Sequence, residues 1–191
     1  GLPADVIALL PGRGESVGAA LVADPRVAGV AFTGSTEVAA IIARTLASRL
    51  PLVPLIAETG GLNAMIADSS ALPEQVAADA LVSAFDSAGQ RCSALRVLCV
   101  QRDIAPRVVT LLQGAMDEIS VGDPADRATD VGPVIDRVAQ SALERHVDAM
   151  RELGFVRHRT PLPAACANGS FVAPTLVALD RLDRLAKEVF G

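Results

Sequence analysis

The sequence is poor in aromatic residues, and this shortage excludes several kinds of partner. It has no tryptophan, no tyrosine and five phenylalanines among 191 residues. Such a chain offers few aromatic platforms on which nucleic-acid bases could stack. Its net charge is −5, and its arginines are scattered rather than gathered into a basic stripe. We therefore expect no nucleic-acid partner to bind through this segment.

Cysteines and long hydrophobic runs are also scarce. The three cysteines form an odd set with no CxxC spacing, which argues against a disulfide framework and against a zinc site. No metal is expected. No apolar run approaches the ~18 residues of a membrane span, and the first residues lack the basic region and apolar core of a signal peptide. These features predict a cytoplasmic protein without a transmembrane segment.

Small aliphatic residues dominate what is present. Hydrophobic residues make up 51% of the chain and charged residues 20%, with a mean hydropathy of +0.40. Apolar runs alternate with helical periodicity, which predicts an α/β fold with a parallel sheet. Strands are predicted near 6–10, 27–33, 52–57, 64–67, 96–101, 155–159 and 171–179. Helices are predicted near 15–23, 38–46, 73–88, 104–119 and 136–153.

The first candidate site is the turn Phe32-Thr33-Gly34-Ser35, between a predicted strand and a predicted helix. A glycine there lets a ligand approach the backbone, and the amides of a helix N-terminus favour a phosphate. The three glycines of the GxGxxG fingerprint are missing. An ordinary helix cap by Ser35 or Thr36 explains the same residues. The pattern alone leaves both interpretations open.

The second candidate site is Glu58-Thr59-Gly60-Gly61, directly after a predicted apolar strand. A carboxylate at the carboxyl end of a buried strand lies where α/β sheets bind ligands, and it can serve as a general base. The alternative is a simple turn in which the two glycines need positive φ.

The third candidate site is Gly89-Gln90-Arg91-Cys92-Ser93. A helix is expected to end at Gly89, which places the Cys92 thiol in an accessible connection, and the charge of Arg91 favours a thiolate. Cys99 and Cys166 are interpreted as small buried hydrophobes, an interpretation that also stays open for Cys92. The two histidines have no partner at a useful spacing, which argues against a Cys–His hydrolase.

Taken in order, these motifs resemble the NAD(P)-dependent aldehyde dehydrogenase superfamily. Its members carry Phe-Thr-Gly-Ser, Glu-x-Gly-Gly and Gly-Gln-x-Cys, found here at 32–35, 58–61 and 89–92. A fourth stretch, Glu188-Val189-Phe190-Gly191, is similar to the family's Glu-x-Phe-Gly-Pro motif, cut before the proline. The stretches 57–66 and 85–96 are similar to the L-glutamate γ-semialdehyde dehydrogenase domain of bacterial proline utilization A proteins.

The resemblance implies an aldehyde-dehydrogenase-like α/β fold in three parts. Residues 1–62 would be the C-terminal part of a Rossmann-type NAD-binding domain. Residues 63–185 would be an incomplete catalytic domain with the thiol, and 186–191 the start of a segment that returns toward the cofactor site. Both ends look cut from a longer protein.

The resemblance also assigns roles. Cys92 would attack an aldehyde to give a thiohemiacetal and then a thioester, and Glu58 would activate the water that hydrolyses it. NAD would be the cofactor and hydride acceptor. Its pyrophosphate would meet Gly34 and Ser35, and its nicotinamide side would meet Gly60, Glu188 and Phe190. Ser93 would bind the α-carboxylate of the substrate.

Some family features have no match in the chain. These are the oxyanion-hole asparagine, the lysine that holds the adenine ribose and the loop that anchors the amino-acid end of the substrate. We therefore expect the 191 residues to be inactive alone and to belong to a longer, homo-oligomeric dehydrogenase for glutamate γ-semialdehyde. The alternatives are a dehydrogenase for another aldehyde, an acylating enzyme that uses coenzyme A, or a non-catalytic structural remnant.

Overall fold

A computed structural model describes residues 1, 3, 5–185 and 187–191, and the chain divides into two compact units. The first unit is Gly1–Gly60 and the second is Gly61–Gly191. The division lies close to the predicted boundary after residue 62, while the roles of the two parts stay predictions. The predicted third part, 186–191, includes Ala186, which lies outside the described residues.

The first unit is a parallel strand pair with helices. A π-helical turn at Gly14–Gly18 leads into α1 (Ala19–Ala23), followed by β1 (Val30–Gly34), α2 (Thr36–Ala47) and β2 (Leu55–Thr59). β1 and β2 run parallel, with Thr33 opposite Glu58. α2 begins at Ser35, whose Oγ accepts a hydrogen bond from the Val38 amide, and it buries Ala39, Ile42 and Leu46 along one face.

The strand predicted at 6–10 is wrong. Its side chains at Val6, Ile7, Leu9 and Leu10 are all more than half exposed, and none of the described residues pairs with it as a strand. A strand needs a neighbour that accepts its backbone hydrogen bonds and a surface that covers its apolar face. Neither is supplied by the described part of the chain, so the apolar composition of this stretch does not become a strand.

The second unit contains most of the regular structure. Its elements are β3 (Ala64–Ala67), α3 (Pro73–Phe85), β4 (Val97–Val100), α4 (Ala105–Asp117), α5 (Arg137–Glu152), β5 (Val156–Arg159) and β6 (Thr175–Val177). β3 and β4 are parallel, and α3 and α4 cover them. The buried residues of this layer are all non-aromatic, and three of them are alanines: Ala67, Val76, Ala77, Ala80, Val108, Leu112 and Met116. An alanine-rich helix face lets α3 and α4 pack closely. Parallel pairs with intervening helices make this an α/β fold, as the sequence predicts.

The last strand pair departs from the prediction of a parallel sheet. β5 and β6 are antiparallel, with Arg159 opposite Thr175. The connection, residues 160–174, contains a short 3-10 turn, Ala164–Asn168, but no α-helix, whereas parallel neighbours are usually joined through a crossover helix. Among the described residues, no helix combines the length and apolar character needed to cross a membrane.

Candidate active site

The residues predicted to bind a cofactor in the first unit lie at one edge of its sheet. Gly34 and Thr59 are register partners at the carboxyl ends of β1 and β2. Gly34, Ser35 and Glu58 are all exposed there, and Gly60 directly follows β2. The carboxyl edge of parallel strands is the usual ligand-binding edge of an α/β sheet. The structure therefore brings these four residues together.

Two details of this edge bear on the alternatives that the sequence leaves open. Ser35 does cap α2, so the capping interpretation is correct, and its hydroxyl hydrogen remains available as a donor. Among the described glycines, only Gly89, Gly154 and Gly191 have positive φ. A left-handed turn therefore does not explain Gly60 and the glycine after it. The prediction that Glu58 ends a buried strand is wrong, because its side chain is exposed.

A neighbouring side chain occupies the space beside Gly34. A Cβ atom at this position would lie 2.5 Å from the tip of the Phe32 ring. Any side chain at 34 would push that ring aside. Packing within the Phe-Thr-Gly-Ser motif thus favours a glycine at this position.

In the second unit, α3 ends at Phe85, earlier than the predicted end at 88. Ser87, Ala88 and Gly89 then adopt left-handed backbone conformations, with φ of 57°, 52° and 67°. A left-handed conformation costs a non-glycine residue roughly 1–2 kcal/mol. This turn reverses the chain so that the Cys92 loop returns to the start of β4, and the surrounding contacts must hold it there.

Asn63 holds the loop from the side of β3. Its Nδ2 donates to the carbonyl oxygens of Cys92, at 2.6 Å, and Ala94, at 3.0 Å. The backbone carbonyl oxygen of Asn63 accepts hydrogen bonds from the amides of Arg96 and Val97, both at 3.0 Å. The Cys92 loop is therefore fixed at the amino edge of the β3–β4 pair.

Gln90 holds the opposite side of the loop. Its Nε2 donates to the carbonyl oxygens of Ser87 and Pro133, and its Oε1 accepts from the amide of Ile135 at 2.8 Å. The loop is thereby joined to the segment that leads into α5. Gln90, the glutamine of the Gly-Gln-x-Cys motif, thus has a structural role.

Arg96 lies at the centre of the remaining contacts. Its guanidinium donates to the carbonyl oxygens of Gly89, at 2.7 Å, and Arg91, at 3.1 Å. It is paired with Glu188 at 3.4 Å and lies 5.2 Å from the centre of the Phe190 ring. The structure therefore brings the predicted residues Glu188 and Phe190 to the nucleophile loop through an arginine that sequence reasoning did not select.

The three cysteines differ in their surroundings. Cys92 is exposed, Cys99 is half-buried in β4, and Cys166 is buried with its Sγ 3.6 Å from the Val121 carbonyl oxygen. The accessible thiol is the predicted nucleophile, and Cys166 is a core residue as expected. Ser93 is exposed beside Cys92 and lines a shallow depression of about 340 Å³ with Asp79, Val82, Ser83 and Arg91.

Asn63, Gln90 and Arg96 are the functional candidates that sequence reasoning missed. Gln90 and Asn63 stand inside or beside motifs, which is a signal that could have found them. Arg96 follows Cys92 closely in the chain, but its partner Glu188 lies 92 positions away. No local sequence pattern predicts a contact between residues that far apart in the chain.

The chain belongs to the aldehyde dehydrogenase family, whose model matches residues 1–191. This confirms the resemblance drawn from the four motifs.

Two curated relatives illustrate the similarity. The chain is 58% identical to the bifunctional protein PutA of Klebsiella aerogenes, over 100% of this chain and 15% of that protein. It is 36% identical to the 1-pyrroline-5-carboxylate dehydrogenase of Geobacillus kaustophilus (strain HTA426), over 100% of this chain and 38% of that protein. The chain thus spans about 15% of the length of the PutA relatives it matches.

Solved structures show the same relationship. A crystal structure of a bifunctional proline utilization A protein is 53% identical, with a TM-score of 0.94 over 100% of this chain and 19% of that one. A 1-pyrroline-5-carboxylate dehydrogenase from Thermus with bound NAD is 30% identical, with a TM-score of 0.85 over 95% of this chain and 36% of that one. The fold is therefore that of the aldehyde dehydrogenases.

Proposed function

We propose that this chain is part of an NAD-dependent dehydrogenase that oxidises L-glutamate γ-semialdehyde to L-glutamate. The observation that carries the proposal is the exposed Cys92 thiol on a loop fixed by the side chains of Asn63, Gln90 and Arg96. Two relatives named as 1-pyrroline-5-carboxylate dehydrogenases support the substrate. 1-Pyrroline-5-carboxylate is the cyclic imine that forms when the amine of this semialdehyde condenses with its own aldehyde.

Cys92 performs the covalent step in this proposal. Its thiolate adds to the aldehyde carbon, a C–S bond forms, and the carbonyl electron pair moves to oxygen. The backbone N–H of Cys92 stabilises that oxyanion, as one half of an oxyanion hole. When the oxyanion collapses, the carbon loses hydride and Cys92 carries a thioester. The fixed loop holds the sulfur and this N–H in one orientation throughout.

Glu58 performs the hydrolytic step. Its carboxylate takes a proton from water, the resulting hydroxide adds to the thioester carbon, and the C–S bond breaks to return the Cys92 thiolate. The acid product leaves with both oxygens accounted for, one from the aldehyde and one from water. An exposed carboxylate at the sheet edge has the access to water that this role requires.

The residues present fit a dinucleotide. The Phe32–Ser35 turn presents exposed backbone and a serine hydroxyl at the N-terminus of a 12-residue helix, where an anion is favoured. Glu188 and Phe190 would hold the ribose and the ring on the nicotinamide side, with Gly60 near the nicotinamide. When bound, NAD supplies the acceptor for the hydride.

The side chains of Ser93 and Arg91 suit the carboxylate of the substrate. Ser93 and Arg91, the two neighbours of Cys92 in the chain, line the same depression, and a hydroxyl with a guanidinium suits a carboxylate. This supports an amino-acid aldehyde over a simple aliphatic one. The aspartate at position 79 in the same depression suits the substrate's amine.

The experiment is an NADH assay of the complete gene product that includes these residues. We expect oxidation of glutamate γ-semialdehyde with a higher kcat/KM than of propanal or hexanal. Cys92→Ala should abolish turnover while NAD binding persists. Cys99→Ala should leave turnover nearly unchanged. Equal rates with all aldehydes would overturn the substrate assignment, and turnover in the Cys92 variant would overturn the mechanism. NADPH formation in place of NADH would overturn the cofactor assignment.

We also propose that the complete protein is cytoplasmic and forms a homo-oligomer. Three free cysteines support a reducing compartment, and the family resemblance supports the assembly. Fractionation of cells and sedimentation of the complete gene product test these two points.

A further inference from the structure

We propose that Arg96 is a positioning residue that couples the segment 188–191 to the loop that carries Cys92. The inference rests on the proposed function, in which the segment holds the nicotinamide side of NAD and the loop carries the nucleophile. Neither the motif comparison nor the predicted site residues assign Arg96 a role. Its side chain is only 7% exposed, although it carries a full charge.

On the loop side, Arg96 stabilises two backbone carbonyl groups. Nη1 donates to Gly89 O at 2.7 Å and Nη2 donates to Arg91 O at 3.1 Å. Gly89 ends the left-handed turn and Arg91 precedes the nucleophile. A desolvated guanidinium needs such acceptors, and removing it leaves both carbonyl groups without this donor. The orientation of the backbone that enters Cys92 therefore depends on where this guanidinium lies.

On the other side, Arg96 contacts the two residues predicted to meet NAD. Its Nε and Nη2 both lie 3.4 Å from Oε1 of Glu188, and its Cζ lies 5.2 Å from the centre of the Phe190 ring. Oε2 of Glu188 receives no hydrogen bond from the described residues, and Phe190 is 49% exposed. Arg96 thus supports one oxygen and one ring face, and leaves the others for a ligand.

A single planar group therefore links the two sides. A guanidinium has five N–H donors in a fixed geometry, so a shift of Glu188 or Phe190 changes the direction of the donors that hold Gly89 and Arg91. A lysine at this position has the charge but cannot make these contacts together. Occupation of the nicotinamide side is in this way communicated to the backbone that carries the thiol.

The coupling is testable in the complete gene product without cofactor or turnover. The readout is hydrogen exchange of the Ala94 amide, which donates to Arg91 O at 3.1 Å. Glu188→Gln should raise this exchange about fivefold, a size typical of coupled neighbours. In an Arg96→Met background the same change should add nothing. Glu144→Gln is the matched control, because Glu144 pairs with another partly buried arginine, Arg159, and it should leave Ala94 unchanged.

Kinetics of the complete gene product separate positioning from mere stabilisation. Arg96→Met should raise KM for NAD about tenfold and also lower kcat, and Arg96→Lys should recover part of both. A merely structural arginine would lower the active fraction, and so kcat alone. An unchanged KM for NAD, or an effect of Glu188→Gln on Ala94 exchange that is equal with and without Arg96, would overturn the inference. Lack of oxidation by the unmodified protein would overturn the proposed function, while the exchange result would still decide the coupling.

Discussion

Nδ2 of Asn63 lies 2.6 Å from the carbonyl oxygen of Cys92, so the residue before β3 directly holds the backbone of the predicted nucleophile. The same nitrogen also reaches Ala94. Asn63→Asp keeps the shape of the side chain but replaces the donor by a second acceptor. We expect the free energy of unfolding to fall by about 1–3 kcal/mol, because two carbonyl groups lose their donor.

Urea unfolding followed by circular dichroism measures this change, which suits a chain without tryptophan or tyrosine. Asn168→Asp is the control, since Asn168 is exposed and contributes its backbone carbonyl, not its side chain, to the contact with Arg137. Equal losses in the two variants would contradict a special role for Asn63.

Glu58 gives a kinetic prediction. In the proposed mechanism, Glu58→Gln removes the general base for hydrolysis but leaves the attack by Cys92 intact. The complete gene product should therefore release a burst of NADH close to one per active site. Its steady-state rate should fall by about 10²–10⁴-fold, the usual contribution of a general base. Glu15→Gln, at another exposed glutamate of the first unit, should change neither phase. An unaltered steady-state rate in the Glu58 variant would exclude the role.

Two glycines give opposite predictions for the same substitution. At Gly89, φ is +67°, and a Cβ would lie 2.9 Å from both the Ala84 oxygen and the Gly191 carbonyl carbon. Gly89→Ala should destabilise the chain by about 1–3 kcal/mol, the range for strained backbone. Gly114 lies inside α4, and a Cβ there would have nothing within 4 Å. Gly114→Ala should stabilise by about 0.5–1 kcal/mol.

Thermal unfolding of the two glycine variants at one pH is sufficient to compare them. Opposite shifts in Tm are expected. A Gly89→Ala protein as stable as the wild type would show that the left-handed turn relaxes without cost.

His146 gives a pH prediction. Burial, and then the charge of Lys187, lower the pKa of His146 below its ordinary value of 6.5. Above pH 6.5, the imidazole of His146 is neutral in both the folded and the unfolded chain. As the pH falls below 6.5, the unfolded chain binds a proton first, so the free energy of unfolding decreases. The decrease levels off once the pH is below the folded pKa.

His146→Gln should remove this component. The loss of stability between pH 7.5 and 5.5 should then be smaller in the variant than in the wild type, measured by urea unfolding at each pH. NMR titration of the imidazole should place its pKa below 6.5, and Lys187→Gln should raise it. A titration at or above 6.5 would contradict the prediction.

Most of the elements can be predicted from local signals. Ser35 and the proline at 73 mark helix starts, and both helices begin as expected. The strand predicted at 64–67 has the observed bounds. These predictions succeed because caps, proline geometry and hydrophobic periodicity act within a few residues. The order of the four motifs is enough to identify the family.

Other features cannot be predicted, because their causes lie far along the chain. Residues 6–10 have strand composition but lack a partner strand. Ser87 and Ala88 are not residues that favour left-handed backbone, and they adopt it because contacts from Asn63, Gln90 and Arg96 fix the loop that follows. The direction of β6 depends on its connection to β5, which lacks a crossover helix, and this is not a property of either strand.

The sequence by itself determined the α/β class, most helix and strand positions and the family, and it predicts Cys92 as the nucleophile among three thiols. Only the tertiary structure decided that Cys92 is exposed while Cys166 is buried, and that Arg96 joins the loop to Glu188. The physical reason is that burial and hydrogen-bond pairing depend on residues that are distant in the sequence. Local periodicity indicates which side chains can make such contacts, but their partners are determined only by the folded chain.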